Sequence, residues 1–198
     1  MSVLSMTPSP SLARVALGAD KQSLANSLLL VLAASVLIAL SAQVAIPLPF
    51  TPIPVTGQTF AVLVVGMALG ARLGAAAVIA YLIEGASGLP VFANGTGGMA
   101  VLMGPTSGYL LGFVPAAFAT GWLAEQGWDR NPLTTALAMI IGNAIIYVPG
   151  LLVLSTILSK PLSVTIGFGF LPFYMGDIAK LILAAAVMPL AWRMIGRK

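Results

Sequence analysis

Three charged side chains fall inside otherwise apolar runs of this chain: Glu84, Asp177 and Lys180. A charge near the centre of a membrane helix costs roughly 2.5–3.5 kcal/mol on insertion scales, so each needs a partner or a purpose. Asp177 and Lys180 stand three residues apart, which sets them on one face of a helix. Such a pair can neutralise itself as an internal salt bridge. It can also hold a small ligand, with Lys180 meeting a carboxylate and Asp177 accepting from N–H groups. Glu84 admits three roles: a ligand contact, a helix-end charge at the interface, or a proton carrier. Gln58, Asn94 and Thr96 are expected to bring neutral hydrogen-bonding groups to the same level. Tyr109 and Tyr174 each join an apolar ring to a hydroxyl and are expected to flank a pocket. Phe50, Phe92, Phe168, Phe170 and Phe173 read mostly as an interfacial aromatic belt.

Other chemistries are excluded by composition. The chain has no Cys and no His, which removes disulfides, thiolate nucleophiles, imidazole catalysis and most zinc sites. No metal ligand set and no cofactor are expected. There is no GxxxxGK[ST] run, so ATP is not bound here through a P-loop. The net charge is +4, but Lys and Arg are scattered with no basic, aromatic-interleaved run, and nucleic acid is not an expected partner. Of the 198 residues, 59% are hydrophobic and 7% are charged, with a mean hydropathy of +1.05. A soluble domain carries about 25% charge. The reading is an all-α integral membrane protein embedded in the lipid bilayer.

The side chains singled out must be positioned by apolar helices and two irregular stretches. Apolar runs predict six helices at about 24–46, 58–70, 74–86, 107–125, 132–158 and 176–195, with a tight turn at Ala71, Arg72 and Leu73. Residues 1–22 read as a cytoplasmic tail and 23–198 as a single six-helix membrane domain. Helices two and three are short, so their flanking loops must dip into the membrane. One of those loops, PLPFTPIPVTGQ, is held extended by four prolines, with Thr56 and Thr59 as candidate caps for the helix that follows. The other, GLPVFANGTGGMAVLMGPTSGYLLG, carries seven glycines and two prolines but almost no charge. Apolar irregular backbone is tolerated at membrane depth where protein buries it or where it lines a cavity. Gly97 and Gly98 would let this backbone approach a ligand closely. A plain re-entrant connection is the alternative.

Six crossings put Arg14, Lys21, Arg72, Arg130, Arg193, Arg197 and Lys198 on one side, against Lys160 on the other. The excess of positive charge predicts cytoplasmic termini and outward-facing Gly/Pro-rich loops capping a ligand pocket. Glycines 66, 70 and 74, and glycines 108 and 112, recur every fourth residue and predict close helix contacts. Ser35 and Ala39 on helix one share this spacing. They could pack internally or meet another membrane subunit.

Three runs carry a resemblance: PVTGQTFAVLVVGMALGARLGA, GASGLPVFANGTGGMAVLMGPTSGYLLGF and FYMGDIAKL. Over roughly residues 24–196 the chain resembles the BioY family, the biotin-binding S components of energy-coupling factor (ECF) transporters. The resemblance implies six transmembrane helices with both termini inside. It implies high-affinity biotin capture from outside, in a bacterial inner (cytoplasmic) membrane. Translocation would involve a membrane coupling protein (the T component) and two ABC-type ATPases, although some members are reported to act without a dedicated module. By position, Asp177 and Lys180 match the family's biotin-contacting Asp and Lys, Gln58 matches a polar position, and Tyr109 matches the pocket aromatic. Some members have Asn at Thr96 and Arg at Leu110, which shifts more of the carboxylate contact to Lys180. The helix-one AxxxA docking pattern is represented loosely by Ser35 and Ala39. A homo-oligomer stays open.

Biotin suits the residues singled out. Its ureido ring offers two N–H donors and a carbonyl, its thiophane ring and chain are apolar, and its carboxylate favours a cation. Two other functions were weighed. A membrane enzyme using Asp177 and Glu84 is disfavoured because no nucleophile–base pairing appears. A self-sufficient ion-coupled biotin carrier, with Glu84 as proton site, is weakened by the lack of a clear inverted repeat.

Overall fold

The structure is a computed structural model that describes residues 9–17 and 23–195. Lys21, Arg197, Lys198 and most of the expected tail lie outside these residues. The chain is mostly helical. Inside the stretch read as a tail, α1 (Leu12–Leu17) is a short helix packed against α3 and α9.

α2 (Leu24–Gln43) begins at Ser23, whose hydroxyl accepts the Asn26 N–H at 3.2 Å and so satisfies one of the open first-turn donors. It ends at Gln43 rather than near residue 46. The chain then enters a two-stranded antiparallel ribbon, β1 (Ala45–Ile46) with β2 (Val55–Thr56), pairing Ala45 with Thr56. The prolines between the strands cannot donate to a ladder, which keeps the ribbon short.

α3 (Gln58–Leu69) and α4 (Ala71–Ala86) are separated by Gly70 alone. The three-residue turn expected at 71–73 is therefore absent. Gly70 has φ +84°, a conformation that a residue with a Cβ rarely adopts, so a single glycine reverses the chain. The two helices also touch: a Cβ on Gly74 would come within 2.7 Å of the Gly66 Cα.

The Gly-rich stretch contains a 3-10 turn (Ala93–Gly95) and one helical turn, α5 (Met99–Leu102). α6 (Ser107–Glu125) and α7 (Pro132–Leu158) form the most extensive helix pair. Gly108 and Gly112 lie at that contact, where a Cβ on Gly112 would come within 3.0 Å of the Ile146 Cα. The connection at 159–175, read as a loop, contains α8 (Leu162–Gly169), and α9 (Tyr174–Ile195) starts two residues early.

Among the described residues, four helices are long and apolar enough to cross a membrane: α2, α6, α7 and α9. α3 has 12 residues and α4 has 16. A 12-residue helix rises about 18 Å, short of ~30 Å of hydrocarbon.

The end of the bundle where α3 meets α4 and α6 leads to α7 is tightly tied. Glu125 Oε1 accepts the Ala71 N–H at 3.0 Å, and its carbonyl accepts the Ser9 N–H at 2.9 Å. Asp129, 1% exposed, accepts the Trp192 indole N–H, and Arg130 stacks on the Trp192 ring at 4.4 Å. Burial raises the Asp129 carboxyl above its ordinary range, against the opposing influence of Trp192 and Arg130.

Candidate functional site

At the opposite end, the two irregular stretches and the starts of α3, α6 and α9 enclose a cavity of about 220 Å³. That is below the roughly 300–1,000 Å³ common for ligand pockets. Two hydrogen-bonded sets of polar groups meet at the start of α3. Thr56 Oγ1 donates to Gln58 Oε1 at 3.2 Å, and the Gln58 amide donates to the Tyr81 hydroxyl. One residue on, Thr59 Oγ1 accepts from Lys180 Nζ at 2.8 Å. Lys180 also donates to Asp177 Oδ1 at 3.2 Å, and the Tyr147 hydroxyl donates to Asp177 Oδ2. Asp177 and Lys180 are thus an ion pair in the cavity wall, 11% and 18% exposed at their side chains. Both readings of this pair meet here: the salt bridge exists, and it lines the space a ligand would use.

The rest of the wall is largely apolar, from Ile53, Phe92, Leu110, Phe113, Ile146 and Phe173. Tyr109 lines it with its ring, while its hydroxyl donates to the Gly169 carbonyl at 2.9 Å and so ties α6 to α8. Asn94 and Thr96 stand at the rim with Pro52, all exposed. Thr96 turns its hydroxyl to the Ala93 carbonyl at 2.9 Å. Asn94 has φ 58°, a left-handed conformation that Asn tolerates better than most residues.

The loops are pinned by side chains that sequence reasoning did not single out. Gln43, at the end of α2, accepts the Gly95 N–H at 3.0 Å and donates to the Phe92 carbonyl at 3.3 Å. The Tyr81 hydroxyl donates to the Val91 carbonyl at 3.2 Å, and its ring meets Phe92 edge-on at 5.4 Å. Thr51 joins the Pro-rich ribbon to α8 through the Phe168 carbonyl at 2.9 Å.

Several expected site residues lie elsewhere. Glu84 is outside the cavity and accepts the Ser35 hydroxyl at 2.8 Å. Ser35 is fully buried, in keeping with the internal-packing reading of its spacing. Ala39 is partly buried against the core. The reason is local: a carboxylate on α4 beside an apolar α2 needs a donor, and Ser35 is the hydroxyl on the facing helix. Tyr174 is 47% exposed and is not part of the cavity wall. Gly97 and Gly98 also do not line it. Gly97 packs under the Leu89 backbone, and Gly98, at φ +91°, donates its N–H to the Gly85 carbonyl at 2.7 Å. They shape the loop from behind. Phe92 and Phe173, read as belt residues, are 1% and 8% exposed and face the cavity.

Tyr147 and Thr59 were missed as site residues. Tyr147 sits in the apolar α7 run, where a lone tyrosine with a hydroxyl to satisfy was the available signal. Its ring meets Phe170 at 4.9 Å and Tyr109 at 6.1 Å, both edge-on. Among the described residues, no group of three acidic, His or Cys side chains could hold a metal ion.

Comparison with known proteins gives a consistent picture. The family model described as "BioY family" matches residues 12–197. The chain is 42% identical over 143 residues to a biotin transporter BioY of Thermotoga maritima, covering 72% of this chain and 82% of that protein. It is 38% identical over 160 residues to a biotin transporter BioY of Rhizobium etli, covering 77% and 84%. Among solved structures it matches the S-component for biotin from an ECF-type ABC transporter, with a TM-score of 0.75 and 25% identity, over 85% of this chain and 92% of that one. These relatives are named as transporters, a non-enzymatic function, and the family is one of multi-pass membrane proteins.

Proposed function

The chain belongs to the BioY family, and from that premise we propose that it is the biotin-capturing S component of a vitamin uptake system. The single observation that carries this is the strip of Thr59, Lys180, Asp177 and Tyr147 set in an otherwise largely apolar cavity. A ureido ring needs acceptors for two N–H groups and a donor for its carbonyl, and its fused thiophane needs apolar walls. Asp177 is the acceptor in this scheme, with Lys180 as the donor beside it. Gln58, Asn94, Thr96 and the Tyr109 ring complete the contacts.

In the membrane the proposed chain has six crossings, with α3 and α4 completed by their flanking loops. Both termini are cytoplasmic, and the cavity end faces outward in a bacterial inner membrane. Transport would be driven by two partner ATPases through a membrane coupling protein. A self-sufficient carrier would draw on Glu84 as proton site. Glu84 lies away from the cavity and is bonded by Ser35, which lends that role no support.

The test is calorimetric titration of the purified chain in detergent. Biotin is expected to bind near one-to-one and thiamine not at all. Folded protein that ignores biotin would overturn the assignment. Uptake by this chain alone, abolished by an uncoupler, would favour the self-sufficient carrier.

A further inference from the structure

We propose that this cavity reads a neutral –NH–CO– unit and does not read the charge of its ligand's tail, so that biotin's neutral-tailed amide and ester forms are bound as well as the acid. This rests on the assignment of biotin as ligand and specifies what the same site selects.

Among the lining residues, Asp177 and Lys180 are the only charged side chains, and they are bonded to each other at 3.2 Å. Lys180 is further committed to Thr59 Oγ1 at 2.8 Å, which leaves one of its three ammonium donors. Asp177 already holds the Tyr147 hydroxyl on its other oxygen. The pair is therefore a neutral unit whose spare capacity is one N–H donor beside carboxylate lone pairs. A donor next to an acceptor matches the C=O and N–H of a cyclic urea. It does not match a second carboxylate. A ligand anion placed on Lys180 would put two carboxylates against one cation in a partly buried site, and like charges there repel. Pulling Lys180 from Asp177 to make room would leave a buried anion without its partner, which is costly.

Among the described residues that line the cavity, no other cation is offered to the tail. Gln58 is committed on both amide atoms, and Leu110, Phe113 and Ile146 are apolar. The exposed rim residues Pro52, Asn94 and Thr96 carry no charge. A tail reaching that rim keeps its carboxylate hydrated, where charge interactions are weak and screened.

The experiment is displacement of labelled biotin from the purified full chain by biotin, biotinamide, biotin methyl ester and biotin N-methylated on the ureido ring. The amide and the ester are expected within about threefold of biotin, because an exposed charge contributes little. The N-methylated compound is expected to bind roughly 100-fold more weakly, having lost a buried hydrogen bond and left an acceptor unmet. In Lys180→Met, biotin and biotinamide are expected to weaken by the same factor. A loss beyond about tenfold for both neutral-tailed compounds on the wild-type chain, more than a solvated charge supplies, would overturn the inference while leaving biotin as the ligand. In that case Lys180→Met would erase the difference between acid and amide. Failure of biotin itself to bind folded protein would overturn both readings.

Discussion

At the cavity end, Asp177 divides its two oxygens between Lys180 and Tyr147, and all three side chains face open space. At the far end, Glu125 takes the N–H of Ala71 through its side chain and that of Ser9 through its carbonyl, and Asp129 takes the Trp192 indole. Both ends bury acidic groups. At the far end Glu125 caps the start of α4 and Asp129 ties the loop before α7 to α9. At the cavity end Asp177 pairs with the Lys180 ammonium in the wall, with donor capacity left over. The lesson is that a buried charge in this bundle signals a site only where its partners line a cavity. Glu84 illustrates the point, since it bonds Ser35 away from the cavity wall.

The sharpest way to break this comparison is at Asp177 and Lys180. Asp177→Asn and Lys180→Ala should each weaken biotin binding by about 100-fold, because each removes a charged hydrogen-bonding partner of the ureido ring. Circular dichroism should show both variants folded. Wild-type affinity in either would remove that residue from the site.

Glycines at the two ends offer a matched pair. A Cβ at Gly121 would sit 2.7 Å from the Ala71 Cα, against backbone that cannot move aside. Gly121→Ala should cost about 2 kcal/mol by overpacking, a fall of roughly 5 °C in melting temperature. The protein that remains folded should bind normally. A Cβ at Gly85 would collide with the Phe92 ring, which lines the cavity. Gly85→Ala should therefore lower affinity more than it lowers melting temperature. Equal effects of the two substitutions on binding would erase the distinction between the ends.

A smaller effect is expected from Tyr147→Phe. It removes one hydrogen bond from Asp177 and keeps the ring contacts with Tyr109 and Phe170. Binding should weaken by roughly five- to tenfold, the worth of about 1 kcal/mol. No change in affinity would show that Lys180 alone orients Asp177.

The smallest effect belongs to Asp129. Its carboxyl titrates above the ordinary range when folded, so folding favours the protonated form. The cost of the buried charge is absent below the unfolded carboxyl's range. It grows as pH rises through the interval up to the folded value and is complete above it. Asp129→Asn should raise the melting temperature by about 2–4 °C near pH 7.5, with the gain fading as the buffer is made acidic. A gain that is constant with pH would mean that charge burial is not its cause.

The helical framework was legible from residue order. Apolar runs bounded by Gly, Pro and Ser predicted 107–125 and 132–158 as helices, and α6 and α7 have those limits. The short α3 and α4 and the close glycine contacts were also readable. The site was partly readable. Asp177, Lys180, Gln58, Asn94, Thr96 and Tyr109 line the cavity as expected. Tyr174, Glu84, Gly97 and Gly98 do not. Tyr174 is three residues before Asp177 on α9, but it is the helix's first residue and 47% exposed, so the shared face did not carry it into the cavity wall. α8 was missed because its Gly-bearing apolar run has the composition of a loop.

What the sequence determined by itself follows from local rules: an apolar helical chain, its long helices and the rare charges that burial makes expensive. Those depend on each residue's own cost in hydrocarbon and on backbone freedom at glycine and proline. The tertiary structure decided which polar groups became partners. Ser35 met Glu84 across 49 positions, Lys180 met Thr59 across 121, and Tyr147 met Asp177 across 30. A buried polar group takes whichever partner the packed helices bring within about 3 Å, and no rule of local spacing encodes that distance.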